Sequence, residues 1–234
     1  EMSSRGLGDV YKRQEQQEAS FTEALFKNRE ACVYLKERGI KKVTAEVWGL
    51  GLASDRLMVP LRDVQGRTVA FTGRALAGQM PKYKNSPNDL LFDKSKLVFG
   101  LDKAAESIRK SREVVITEGQ FDVIKLHQEG ITNVVACSGT ALTEQQINDL
   151  VRRCGAKTVT LCFDGDAAGE KAAYKALEKL QQLVLSETIN LRILSLPEGE
   201  DPDSIAQEQG IDAMAELIHG APHWVKWWLG REIQ

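Results

Sequence analysis

Paired cysteines, long apolar runs and a large net charge are all missing from this sequence. Its 234 residues include only four cysteines (Cys32, Cys137, Cys154 and Cys162), and none of them forms a C-x-x-C pair. The three histidines show no metal-ligand spacing with them either. Cysteines arranged in this way favour buried thiols over a disulfide framework or a zinc site. We therefore predict structural thiols and no zinc.

A membrane-spanning segment is also missing. No apolar stretch approaches the roughly 18 residues that cross a bilayer, and the first residues lack a charged-then-apolar signal pattern. We predict a folded cytoplasmic protein with no membrane partner. At 42% hydrophobic residues, the chain is long enough for one large domain or two small ones.

The net charge of −2 hides two regions of opposite sign. Residues 56–112 hold 12 lysines and arginines against 5 aspartates and glutamates, whereas residues 113–218 hold 8 against 18. A basic region can hold phosphates and an acidic region can hold divalent cations. The balance therefore permits a nucleic-acid or nucleotide ligand.

The first half has a mixed pattern. Residues 1–14 follow no periodicity, so we predict a non-native or disordered segment there. A basic subdomain is predicted over 15–112, with helices at 15–38 and 43–48, a β-hairpin formed by 57–61 and 68–72, and a loop over 78–88.

The second half alternates between strands and helices. Strands are predicted at 113–117, 133–137, 157–163 and 190–194, and helices at 121–128, 143–153 and 167–184. This order predicts an α/β fold with a mostly parallel sheet flanked by helices. We place this subdomain at 113–197 and a C-terminal acidic turn with helices at 198–234. Within it, the W-V-K-W-W run at 224–228 predicts a helix that packs its indoles on the body of the protein or on a partner.

Two of the predicted strands end in acidic residues. Strand 113–117 leads into Glu118, and strand 157–163 leads into Asp164 and Asp166, with glycines beside them. Ligands of open α/β sheets bind at the carboxyl ends of the strands, and carboxylates with open water positions suit Mg²⁺. These three residues are candidate metal ligands; the alternative is that an aspartate simply caps the next helix.

A second acidic cluster, E-G-E-D-P-D at 198–203, follows the last strand. Its Asp201 and Asp203 could complete a second metal position of the kind used in phosphoryl transfer. The alternative is a solvated turn that caps a helix from Ser204.

Cations punctuate the hairpin and the loop of the basic subdomain. They could clasp a nucleotide triphosphate and a template backbone, while an aromatic ring among them offers a stacking face. The residues are Arg62, Arg67, Arg74, Lys82, Tyr83, Lys84, Lys94 and Lys96.

Four motifs of the second half resemble, in order and spacing, the Toprim domain of bacterial DnaG-type primases: V-V-I-T-E-G-Q-F-D-V, C-S-G-T-A-L-T, C-F-D-G-D-A-A-G and P-E-G-E-D-P-D. Upstream, W-G-L-G, V-P-L-R-D-V-Q-G-R, F-T-G-R, P-K-Y-K-N-S-P and F-D-K-S-K-L-V-F-G are similar to the basic subdomain of the same enzymes.

This resemblance implies functions for individual residues. Glu118, Asp164 and Asp166 match the metal-binding acids of the family, and Asp201 and Asp203 match its accessory acids. The family's basic nucleotide and template contacts match Arg62, Arg74, Lys82 and Lys94, and Tyr83 and Asn85 complete the candidate nucleotide and template site. The implied activity is the synthesis of short RNA primers on single-stranded DNA from ribonucleoside triphosphates, with Mg²⁺ or Mn²⁺ as cofactor.

The sequence departs from the family in three respects. Gln120-Phe121 replaces the usual Tyr-Met, the stretch 51–57 is shorter than usual, and zinc-binding and helicase-binding domains are not within this sequence. A replicative helicase is the expected partner of full-length members. The rival hypotheses are a Toprim nuclease, a topoisomerase-like enzyme, for which Tyr83 and Tyr174 lack context as nucleophiles, and a non-catalytic DNA-binding module.

Overall fold

The computed structural model describes residues 4–76, 78, 80–87, 91–137 and 142–232. Contacts divide the chain into two compact units, residues 1–93 and 94–234. Each unit contains one four-stranded sheet, antiparallel in the first and parallel in the second. Most of the C-S-G-T-A-L-T motif, residues 138–141, lies outside the described residues.

Three helices open the first unit: α1 (Ser4–Lys27), α2 (Arg29–Glu37) and α3 (Lys42–Trp48). The single helix predicted over 15–38 is wrong, because Asn28 separates α1 from α2. Its side chain accepts a 2.9 Å hydrogen bond from the backbone N–H of Ala31, so asparagine serves as an N-cap and restarts the helix. Residues 4–14 continue α1 rather than standing outside it, although they include the poor helix formers Gly6 and Gly8. That they are non-native stays a prediction.

The sheet of the first unit has the order β1-β2-β3-β4. Its strands are β1 (Gly51–Ala53), β2 (Arg56–Arg62), β3 (Thr68–Ala75) and β4 (Tyr83–Asn85). The predicted hairpin is confirmed as β2 and β3. The prediction of a loop over 78–88 is wrong at β4, which pairs with Thr72, Gly73 and Arg74 of β3. Three residues are too few to show a strand periodicity. Helix α1 packs on this sheet, with an edge-on contact between Phe21 and Phe71.

The second unit carries the strand and helix alternation predicted for it. Its elements are α4 (Leu101–Ser111), β5 (Glu113–Thr117), α5 (Gln120–Gln128), β6 (Val134–Ala136), α6 (Glu144–Asn148) with a π-helical turn (Asp149–Arg153), β7 (Thr158–Phe163), α7 (Ala167–Leu185), β8 (Asn190–Ser195), α8 (Pro202–Glu208), α9 (Ile211–Gly220) and α10 (Trp224–Glu232). The domain bounds set from motifs stay a prediction; by contacts, α4 belongs to this unit because it packs on β5 and β6.

The parallel sheet has the strand order β6-β5-β7-β8. After β5 the chain moves outward to β6 and then returns to the other side of β5 as β7. The point between the carboxyl ends of β5 and β7 is therefore a topological switch point, where open α/β sheets form a crevice. Buried aliphatic residues such as Ile116, Leu161 and Ile193 fill the core beneath it.

Three cysteines and one tryptophan of α10 are buried in the second unit. Cys137, Cys154 and Cys162 are buried free thiols and Cys32 is half-buried, which confirms structural thiols. Burial raises the pKa of the Cys137 thiol to about 12. In α10, Trp227 is buried against Tyr174, whereas Trp228 is exposed. Among the described helices, none is long and apolar enough to cross a membrane.

Candidate metal and nucleic-acid sites

The sheet brings Glu118 and Asp164 together at the switch point. Glu118 directly follows β5, and Asp164 directly follows the neighbouring strand β7. The backbone N–H of Asp164 donates a 3.4 Å hydrogen bond to Oε1 of Glu118. The sequence hypothesis that the two acids share one edge is therefore reproduced in the fold, because adjacent parallel strands end side by side.

Asp166 also caps a helix in this structure. It is the N-cap of α7, and its Oδ1 accepts a 2.7 Å hydrogen bond from the N–H of Gly169. The helix-capping alternative considered for this residue is thus realised. The negative charge of Asp166 still acts on Glu118 and contributes to the raised pKa of that carboxyl group.

The E-G-E-D-P-D turn lies beside the loop that carries these acids. Asp201 is the N-cap of α8 and accepts a 2.6 Å hydrogen bond from the N–H of Ser204, whose hydroxyl donates to Glu200. The capping alternative is thus realised here as well, one residue ahead of Pro202 rather than at Ser204. Asp203 is buried in the first turn of α8, which packs on α5.

Asp122 joins this group, although it was not among the residues singled out from the sequence as metal ligands. It lies in the first turn of α5, is buried, and its Oδ2 accepts a 3.0 Å hydrogen bond from the N–H of Gly119. Burial, followed by the charges of Asp164, Asp201 and Asp203, raises its pKa well above the usual range. A signal was present in E-G-Q-F-D, since an acid three residues after a helix N-cap lies in the first helical turn, beside the end of the preceding strand.

Crowded carboxylates define the electrostatics of the site. Burial raises the pKa of Glu118, the hydrogen bond from the Asp164 N–H opposes the shift, and the charge of Asp166 adds to it. Groups of this kind repel one another and gain from a cation among them.

The donor set fits an oxygen-preferring divalent cation. All side-chain oxygens of this group belong to carboxylates. Gly119 leaves space beside them, because a Cβ at that position would lie 2.8 Å from Oδ2 of Asp122. Among the described residues, no three histidine, cysteine, aspartate or glutamate side chains form a ready-made metal cage. Ions such as Mg²⁺ use only one or two protein carboxylates and take further ligands from water and phosphate, so an open set of acids is compatible with them.

The structure gathers only part of the basic set predicted from the sequence. Arg74 and Tyr83 are cross-strand partners on β3 and β4, with Lys82 just before β4 and Asn85 at its end. Arg62 pairs with Thr68 at the other end of the hairpin, about 20 Å away along the strand.

Arg62 and Lys94 are placed differently from the cluster around Arg74. The guanidinium of Arg62 forms a 2.5 Å ion pair with Glu18 and donates to the hydroxyl of Thr68. Those contacts occupy it within the first unit. Lys94 belongs to the second unit.

Arg74 lies in an aromatic cluster that the sequence did not disclose. Its Nη1 donates a 2.6 Å hydrogen bond to the hydroxyl of Tyr83, and its guanidinium lies 5.3 Å from the Tyr83 ring and 5.8 Å from the Tyr34 ring. Arg38 donates to the hydroxyl of Tyr34. Cation–π contacts of this type orient an arginine while its charge is retained.

Family models match both units. Residues 115–206 match a Toprim-like model, and residues 52–105 match the N-terminal domain of the DNA primase catalytic core. Fold and acidic edge together define a Toprim-like α/β protein preceded by a small antiparallel subdomain.

Individual relatives narrow the class. The chain is 46% identical to the DNA primase of Synechococcus elongatus over 74% of its own length and 25% of that protein, and 46% identical to that of Pseudomonas aeruginosa over 70% and 24%. Among solved structures, a DNA primase domain from Pseudomonas aeruginosa aligns with a TM-score of 0.86 and 33% identity, covering 95% of this chain and 82% of that one. A DnaG primase catalytic domain bound to single-stranded DNA aligns with a TM-score of 0.84 and 27% identity, covering 94% and 81%.

This chain belongs to the DnaG-type DNA primase family. It spans about a quarter of the length of the curated relatives it matches.

Proposed function

We propose that this chain is the RNA-polymerase core of a DnaG-type primase, which makes short RNA primers on single-stranded DNA. The observation that carries the proposal is the pairing of Glu118 with Asp164 at the switch point of the parallel sheet. Acids crowded at such an edge, half-buried at Glu118 and Asp164, are costly unless they serve a ligand, so a purely structural or DNA-binding domain would have no need of them.

Glu118, Asp164 and Asp166 would hold the catalytic cation, with Asp122, Asp201 and Asp203 around them. Mg²⁺, or Mn²⁺ in its place, would neutralise the triphosphate and favour ionisation of the attacking 3′-hydroxyl. The chain itself contributes a rigid edge: strand ends fix Glu118 and Asp164, and the cap on α7 fixes Asp166.

The cluster around Arg74 is the proposed contact for template or nucleotide. The guanidinium of Arg74 is held by Tyr83 and the residue is 8% exposed, while Lys82 and Asn85 lie beside it along β4. Phosphates bind such fixed guanidinium groups through paired hydrogen bonds. Arg62 and Lys94 stay assigned to the same function by resemblance. Single-stranded DNA in a solved relative supports this ligand.

The test is primer synthesis on single-stranded DNA with labelled ribonucleotides and Mg²⁺ or Mn²⁺. Wild type is compared with Asp164→Ala and with Glu216→Ala, a control that removes an exposed acid of α9. We expect products of several nucleotides from wild type and the control, and none from Asp164→Ala. Cleavage of the template without new RNA would replace the primase proposal by a nuclease. DNA binding with no reaction in any protein would leave a binding module.

A further inference from the structure

Two side chains of α10 are bonded to the end of β8. Trp227 and Arg231 lie four residues apart and so share one face of the helix. Both donate to the hydroxyl oxygen of Ser195, the indole Nε1 at 2.8 Å and the guanidinium Nη2 at 3.0 Å. Ser195 ends β8 and is the cross-strand partner of Phe163, the residue before Asp164. The strand β8, which pairs with β7 just before the loop Asp164-Gly165-Asp166, is thereby tied to α10.

The same arginine also reaches the helix that follows that loop. Nη1 of Arg231 forms an ion pair with the carboxylate of Glu170. Glu170 lies in the first turn of α7, and its backbone N–H donates a 3.0 Å hydrogen bond to the carbonyl of Asp166. A single guanidinium therefore bridges α7, which follows the acidic loop, and β8, the strand that pairs with β7 just before the loop.

Aromatic packing holds these two side chains in place. The Arg231 guanidinium lies 4.9 Å from the Trp227 ring, and the ring of Tyr174 on α7 lies 4.9 Å from that of Trp227. Trp227 is only 6% exposed. An arginine stacked on a buried indole keeps few rotamers, so little conformational entropy opposes its hydrogen bonds.

A pocket of about 530 Å³, partly open to solvent, adjoins the acidic loop. Asp164, Gly165 and Asp166 line one part of it, and Trp227 and Arg231 line another. Because side chains do not fill this space, close packing alone does not fix the loop from this side. The hydrogen bonds and the ion pair made by α10 supply a restraint that packing leaves out.

We propose that Trp227 and Arg231 are positioning residues for the candidate metal site, acting through Ser195 and Glu170. The inference rests on the proposed function, since it takes Asp164 and Asp166 as metal ligands. Loss of a contact that holds a metal ligand directly costs about tenfold or more in metal affinity. Trp227 and Arg231 contact Ser195 and Glu170 rather than the ligands themselves, so a smaller loss is expected from them.

The test measures Mn²⁺ binding by the full chain, through the electron paramagnetic resonance signal of the free ion. Variants are Arg231→Ala, Arg231→Lys and Trp227→Phe, which keeps an aromatic ring and removes the N–H donor. Controls are Lys226→Ala and Trp228→Phe, both at exposed positions of the same helix. Thermal unfolding of each protein is recorded in parallel.

We expect Arg231→Ala to raise the dissociation constant for Mn²⁺ severalfold, to at most about tenfold, and Trp227→Phe to raise it by a smaller factor, with partial recovery in Arg231→Lys. The two controls should stay at the wild-type value. If Arg231→Ala does not fold, the comparison of Trp227→Phe with Trp228→Phe decides the question.

Two results would overturn the inference. One is wild-type Mn²⁺ affinity in folded Arg231→Ala and Trp227→Phe, whatever their thermal stability, since that leaves only a structural effect. The other is an equal loss in the controls. Asp164→Ala separates this failure from failure of the proposed function: if it also retains Mn²⁺ binding, the acids are not the metal site at all.

Discussion

The backbone N–H of Gly165 donates a 2.8 Å hydrogen bond to the carbonyl oxygen of Glu200. In return, the Gly165 carbonyl accepts a 2.9 Å hydrogen bond from the N–H of Gly199. This exchange joins the loop after β7 to the turn after β8, and so brings Asp201 and Asp203 to the edge that already holds Asp164. A Cβ at position 165 would lie 1.9 Å from the carbonyl oxygen of Pro197. Only glycine lets the two backbones approach this closely.

Gly165→Ala is therefore expected to separate the two acidic loops. The added methyl group collides with backbone rather than with a flexible side chain, so we expect a loss of about 1–3 kcal/mol in the free energy of unfolding, together with weaker Mn²⁺ binding. Urea denaturation and metal titration measure the two effects. Gly220→Ala is the matched control, because a Cβ there meets nothing within 4 Å. Equal behaviour of the two variants would show that the close approach has no energetic consequence.

Asp122→Asn should separate stability from metal binding. The buried carboxyl lies among the charges of Asp164, Asp201 and Asp203, and an amide oxygen can still accept the hydrogen bond from Gly119. Asparagine removes the cost of burying an ionisable carboxyl among like charges, so we expect the thermal midpoint of the metal-free protein to rise with EDTA present.

With Mg²⁺ added, the stability advantage of Asp122→Asn over wild type should shrink. The cation loses part of its electrostatic partner, so wild type should gain more stability from Mg²⁺ than Asp122→Asn does, and primer synthesis should fall in the variant. Asp212→Asn, at an exposed position of α9, serves as the control. A variant that is less stable than wild type in EDTA would contradict the repulsion argument.

Periodicity and strand-end chemistry predicted the second unit well. Each strand from β5 to β8 is an apolar run of its own, and adjacent parallel strands must end at one edge, so Glu118 and Asp164 could be paired without coordinates. The burial of Asp122 could not be predicted in that way. It depends on the packing of α8 on α5, which are segments far apart in sequence.

The first unit was less predictable. Asn28 divides a continuous amphipathic pattern through one side-chain hydrogen bond, and β4 is defined by pairing with β3 rather than by its own sequence. Cross-strand register also determines which of the predicted basic residues lie together. A run of cations along the chain does not tell which of them face each other, and the register places Arg74 with Tyr83 but leaves Arg62 at the far end of the hairpin.

Arg74→Gln is expected to weaken binding of single-stranded DNA. Loss of one phosphate contact should reduce affinity at every sequence and lower the slope of log K against log salt by about 0.7. Fluorescence anisotropy of a labelled oligonucleotide at several salt concentrations measures both. Lys110→Gln, an exposed cation of α4 paired with Glu106, is the control. An unchanged salt slope in Arg74→Gln would remove this residue from the DNA contact.

Tyr83→Phe extends the same argument to the orientation of Arg74. The substitution removes the hydroxyl that accepts from Nη1 but keeps the ring and the charge. Affinity should fall by a smaller factor than in Arg74→Gln, and the salt slope should stay at the wild-type value because the number of cations is unchanged.

His127 gives the protein a defined acid sensitivity. Its Nε2 lies 2.8 Å from the carbonyl oxygen of Val134, so the neutral ring donates from Nε2. Burial lowers its pKa; the Val134 carbonyl and the charge of Asp102 oppose this, and Lys103 reinforces it. The unfolded chain therefore takes up a proton at a higher pH than the folded protein does. The stability contributed by the neutral ring is complete above roughly pH 6.5 and is lost as the pH falls below that value.

We accordingly expect wild type to lose stability relative to His127→Gln below about pH 6.5, by no more than about 1.4 kcal/mol per pH unit. The free energy of unfolding in urea at pH 5.5, 6, 7 and 8 gives the difference at each point, and acids common to both proteins cancel in it. His219→Gln, at an exposed position of α9, is the control. His127 lies on α5, the helix that also carries Asp122, so the acid sensitivity should arise in the second unit. A difference in unfolding free energy between wild type and His127→Gln that stays constant with pH would rule out this effect of His127.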